Sequence, residues 1–178
     1  MNNVTLEPGA FAYCNMPSIT LNNIKSIGYL DTEISGQNTI SLSPIVIINS
    51  NNNVIIGSAC FSNGVFSSTL EKLVLNCNCI MYTAIVDHCK YLHEIYYYGD
   101  KKPIFLQNTS NKQPYWTSIS PAGYQELYPA AGELTKPNYF HIRKDSTWTE
   151  KDLDPNYGTD IGYLFNPDVC GFILVKDL

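Results

Sequence analysis

Apolar residues in the first hundred positions fall into short runs separated by Asn, Ser, Gly and Pro. Val4 to Tyr13 and Ser26 to Ile34 read as strands, broken by Pro8-Gly9 and by Ser35-Gly36. Ser43-Pro44-Ile45-Val46-Ile47-Ile48 and Val54-Ile55-Ile56-Gly57-Ser58-Ala59-Cys60 are β-branched runs on either side of Asn49 to Asn53. Asn tolerates left-handed turn geometry, so this pattern predicts a hairpin. Its arms are almost continuously hydrophobic, which predicts cover on both faces.

Ser68-Thr69-Leu70-Glu71 has the spacing of a capping box and predicts a short helix over 69–76. Residues 79–98 partly match helical spacing. Their β-branched and aromatic content, ending Ile95-Tyr96-Tyr97-Tyr98-Gly99, favours two strands instead, Cys79–Val86 and Tyr91–Tyr98, around a turn at residues 87–90. Beyond residue 100 the chain is rich in Pro and Tyr, and the prolines interrupt any long element. Short strands are predicted at residues 103–107, 115–119, 139–143 and 162–165, with a last one at 171–175 in the main sheet. No repeat of fixed period is evident. The expectation is one mainly β domain over residues 1–178, a β-rich α+β fold. It would be an antiparallel sheet or sandwich with one short helix near 69–76 and a loop-rich C-terminal half.

Charge alters this picture in two ways. The net charge of −5 argues against a nucleic-acid surface. From Met1 to Ser68 the only charged residues are Glu7, Lys25, Asp31 and Glu33, and a surface so poor in charge loses little on being covered by another protein. No apolar run is long enough for a membrane helix. No secretory signal is visible, so synthesis in the cytoplasm is expected, with a place in a virion or export by a signal-less route as further possibilities.

Three groups of residues could carry chemistry. Cys77, Cys79, His88 and His93 could hold zinc, but the Cys-x-Cys spacing is tighter than the usual knuckle. The expectation is therefore six reduced thiols and no structural zinc. Asp152, Asp154, Asn156 and Asp160 alternate like calcium ligands. The glycine falls one place late and Tyr163 stands where a bidentate Glu belongs, so a water-facing turn is expected. Cys79 with His88 or His93 could form a nucleophile and base. Over residues 75–99 this order resembles the glutamine deamidases of the cytotoxic-necrotizing-factor and chemotaxis-deamidase kind, in which a strand-borne Cys precedes a hairpin whose second arm ends in the catalytic His. The chain departs from them where Tyr96 to Gly99 stand in the region of that His, and where Asn76-Cys77-Asn78-Cys79 replaces the Ser-Gly-Cys approach.

The leading expectation from sequence is a non-enzymatic recognition or structural module of a larger assembly, such as a virion or tail-type particle or a surface-binding protein. It would need no cofactor. It would bind protein partners or itself, with carbohydrate as a further ligand, through Tyr115, Trp116, Tyr124, Tyr128, Tyr139 and Trp148. The alternatives are a small Cys/His deamidase or hydrolase-type effector, and an immunity or inhibitor protein.

Overall fold

In the computed structural model the described residues are 4–12, 14–28, 40, 43–61, 69–86, 89, 91–106, 115–116 and 137–178. They form two sheets in which every strand pairing is parallel. The five-stranded sheet contains β1 (Val4–Leu6), β3 (Ile24–Ile27), β5 (Val54–Ile56), β7 (Cys79–Met81) and β9 (Ile104–Phe105), in that order. The six-stranded sheet runs β11 (Ile173–Lys176), β10 (Tyr139–Ile142), β8 (Glu94–Tyr97), β6 (Lys72–Asn76), β4 (Ile45–Asn49) and β2 (Ile19–Asn22). From β1 to β10 successive strands alternate between the sheets, so each turn of the chain stacks on the one before. This is a solenoid. A short helix, α1 (Glu150–Leu153), lies between β10 and β11.

The antiparallel sandwich expected from sequence is thereby corrected. The runs around Asn49 to Asn53 are strands, but they do not pair with each other. Ile45–Asn49 pairs with β2 and β6, whereas Val54–Ile56 belongs to the other sheet. The polar amides between them turn a corner, and their backbone bonds go to neighbouring turns of the solenoid: Asn23 N–H to Asn49 O, Ser50 N–H to Asn76 O and Val54 N–H to Asn78 O. The predicted hairpin over residues 79–98 fails in the same way, with β7 in one sheet and β8 in the other.

The helix predicted over 69–76 is a strand. Leu73 and Leu75 point inward while Lys72, Val74 and Asn76 point outward, a period of two that satisfies β4 on one side and β8 on the other. Two ladders outweigh one local cap. Residues 162–165 are coil and turn rather than strand, whereas the strands expected near 103–107, 139–143 and 171–175 appear as β9, β10 and β11. Residues 117–119, which belong to another predicted strand, lie outside the described residues.

Register builds the core. Ile19, Val46, Leu73, Ile95 and Phe140 stack in one buried row, and Leu21, Ile48, Leu75, Tyr97 and Ile142 in a second. Burying each such side chain contributes about 1.5–3 kcal/mol. Ile27, Ile56 and Met81 face them from the other sheet. The opposite faces of the same strands look outward, so the residues between the core positions form parallel rows on the outer surface. Among the described residues, no helix is long and apolar enough to cross a membrane.

Candidate functional site

The outer face of the six-stranded sheet changes character along the solenoid. Across β2, β4 and β6 the middle row is Thr20, Ile47 and Val74, and across β8, β10 and β11 it becomes Tyr96, His141 and Val175. Strand spacing of about 4.8 Å brings ring onto ring. The Tyr96 phenol lies on the His141 imidazole with centroids 4.3 Å apart and planes 5° from parallel.

Tyr96 is fixed from its other side. Its hydroxyl donates to Glu94 Oε2 at 3.2 Å, and that same oxygen receives Lys72 Nζ at 2.6 Å. The ammonium also sits 5.0 Å above the Tyr96 ring. The ammonium bond holds the Glu94 carboxyl below its ordinary pKa and raises that of Lys72, while burial, followed by the Glu94 charge, raises that of Tyr96.

On the far side of His141, Nδ1 lies 3.0 and 3.1 Å from the two oxygens of Asp177, just past the end of β11. A carboxylate only accepts, so Nδ1 carries a proton, and in the neutral ring Nε2 is then the nitrogen with the lone pair. Nε2 is shielded from solvent and has no hydrogen-bond partner. Buried polar atoms are almost always paired, so an unpaired one on an oriented imidazole marks a place where a ligand atom can pair with it. Lys72, Glu94, Tyr96, His141 and Asp177 thus form one connected chain across β6, β8 and β10 to the residue after β11.

No protein-family model, curated protein or solved structure matches this chain.

The sequence-derived candidates lie elsewhere. Cys77 and Cys79 face the interior with sulfurs 3.6 Å apart, and burial followed by the Cys77 neighbour raises the Cys79 thiol well above its ordinary value. A nucleophilic thiol needs the opposite shift. His93 is on the stretch leading into β8, with Nδ1 2.8 Å from the Tyr91 carbonyl oxygen. His88 lies outside the described residues. Among the described residues, no group of three or more His, Cys, Asp or Glu is placed to hold a metal ion. None of the six cysteines is paired in a disulfide, and of them Cys14 is the exposed one.

The acidic loop is also dispersed. Asp152 bonds Lys102 at 2.6 Å and accepts the Thr149 amide, Asp154 is buried, and Asp160 is exposed. Of the aromatic candidates, Tyr115 and Trp116 are core residues, with Trp116 Nε1 donating to the Leu153 carbonyl at 2.8 Å. Trp148 packs against Tyr97. Tyr139 is on the outer face, 5.9 Å from His141, and Tyr124 and Tyr128 lie outside the described residues.

This arrangement overturns the expectation of a non-enzymatic structural or virion component. That expectation rested on the charge-poor segment before residue 69 and on the Tyr- and Trp-rich second half. The structure instead gathers charged, hydrogen-bonded and aromatic side chains from residues 72 to 177 on one face, an arrangement typical of catalytic or ligand-binding sites. The site was missed because its members are far apart in the chain. His141 and Asp177 are 36 residues apart, and only the parallel register of β10 with β11 makes them neighbours.

Proposed function

We propose that this chain binds a polar ligand on the outer face of the six-stranded sheet and carries out hydrolase-type proton transfer there, with His141 as the base. One observation carries the reading: an imidazole clamped between the Tyr96 ring and the Asp177 carboxylate, with its Nε2 unpartnered. Asp177 fixes the tautomer and the ring orientation. A water that moves in over the covered Nε2 gives up its proton to it, its oxygen bonds to the acyl or glycosyl carbon of the ligand, and the bond from that carbon to the leaving group breaks as the leaving group takes the proton back from the ring. The imidazolium so formed is stabilised by Asp177 and by the face of Tyr96. Lys72 and Glu94 act as positioning residues, because they hold Tyr96 and touch no reacting atom.

The test is a panel of chromogenic acyl- and glycosyl-linked substrates. Turnover of at least one class is expected. His141→Gln should lower it by about 10²–10⁴-fold, the usual worth of a general base. His93→Gln, which alters an imidazole outside the cluster, should leave it intact. Absence of turnover across the panel, or a His141→Gln variant as fast as the parent, contradicts the proposal.

A further inference from the structure

The row beside His141 is built differently. Asn22, Asn49 and Asn76 occupy equivalent positions on β2, β4 and β6. Asn49 Nδ2 donates to Asn22 Oδ1 at 2.9 Å, and Asn76 Nδ2 donates to Asn49 Oδ1 at 2.7 Å. A side-chain amide has two donor hydrogens and two acceptor lone pairs. The ladder uses one of each at Asn49, so a donor and an acceptor remain at this surface position. A hydroxyl group needs that combination.

The row does not stop at Asn76. The Tyr98 amide bonds the Leu75 carbonyl, which carries the register on and sets Tyr98 beside Asn76; Arg143 follows Ile142 in the same way. Tyr98 is 44% exposed, and its ring lies nearly parallel to that of Tyr96 with centroids 6.5 Å apart. At this end the surface opens into a cavity of about 500 Å³ lined by Tyr98, Arg143, Lys144, Asp145 and Leu178. Arg143 is paired with Asp145 through bonds of 3.1 Å, so the cavity carries no unbalanced guanidinium.

From this row we infer that the ligand of the proposed site is a linear neutral oligosaccharide lying across the strands, an inference that rests on the functional reading above. The amides meet sugar hydroxyls, and the exposed face of Tyr98 stacks on the apolar C–H face of a pyranose ring. With Arg143 paired to Asp145, Lys144 is the other cation of the cavity lining, and a single ammonium in a chain of net charge −5 disfavours a polyanion. Four strand steps of about 4.8 Å separate Asn22 from Arg143, so the row is roughly 19 Å long and accommodates several sugars rather than one. The sugar chain would pass directly beside His141, one row away.

Calorimetry with neutral linear gluco- and chito-oligosaccharides of two to six units tests this on the intact chain. Affinity should rise with length and level off near five units. Tyr98→Ala should weaken binding at least tenfold while Tyr98→Phe, which keeps the stacking face, holds it within about threefold. Absence of binding, affinity independent of length, or equal affinity for Tyr98→Ala and the parent overturns the inference. The two proposals fail separately. Sugar binding without turnover removes the chemistry assigned to His141 and leaves the ligand class standing. Turnover of a non-sugar substrate without sugar binding does the reverse.

Discussion

Asp154 is 2% exposed and accepts the Asn156 backbone N–H at 3.1 Å, with no cationic side chain bonded to it among the described residues. Burial pushes its carboxyl up to about 6, against about 3.9 for an unfolded aspartate. The folded chain therefore holds this proton more tightly than the unfolded chain does. Stability falls as pH rises from about 4 to about 6, and the full cost persists above that, on the order of 3 kcal/mol by linkage. Asp154→Asn keeps an oxygen for the Asn156 amide and removes the charge. It should be more stable than the parent at pH 7.5 and should lose most of that advantage by pH 4.5. Urea unfolding at the two pH values checks this, and a variant that is less stable at pH 7.5 would contradict it. The motif Asp152-x-Asp154-x-Asn156 was visible in the sequence as a candidate loop. That one aspartate would be buried and its neighbour paired with Lys102 was not, because those environments come from elements distant in the chain.

Among the elements, the strands were more legible than their partners. Ile45–Asn49, Val54–Ile56, Cys79–Met81 and Glu94–Tyr97 all fall within runs rich in β-branched, apolar or aromatic residues. Which strand pairs with which depends on direction, and apolar alternation does not encode direction. The missing signal was the repeat. Asn22, Asn49 and Asn76 recur at 27 residues, and Leu70-x-x-Leu73-x-Leu75-x-x-Asn78-x-Ile80 is the spacing of a solenoid repeat. Unequal connections, including the long one between β9 and β10, hide the period beyond residue 76. The amide ladder also makes a stability prediction. Asn49→Ala removes the central rung and both of its amide bonds, at about 0.5–1.5 kcal/mol each in an exposed setting. Asn22→Ala removes one. Chemical denaturation should give the larger loss for Asn49, and equal losses would mean that the second amide bond of Asn49 contributes nothing to stability.

For the whole molecule, the parallel solenoid is what makes the site. A strand pair in a hairpin brings together residues close in sequence, whereas stacked turns bring together residues 72, 94, 96, 141 and 177 at a spacing fixed by the ladder. None of these five stood out in the sequence, because a lone Glu, Tyr or His on a strand carries no message until its lateral neighbours are known. The interior is apolar and raises the pKa of the Cys60 and Cys79 thiols, so chemistry is displaced to the outer face. The central claim is that Asp177 selects the Nδ1–H tautomer of the neutral His141 ring, which leaves Nε2 without a proton. Long-range ¹H–¹⁵N correlation on the ¹⁵N-labelled intact chain, above the pH at which the imidazole is protonated, reads this directly. The account predicts the Nδ1–H tautomer for His141 in the folded chain, with the preference lost in Asp177→Asn and in urea. An Nε2–H tautomer in the folded chain would contradict it.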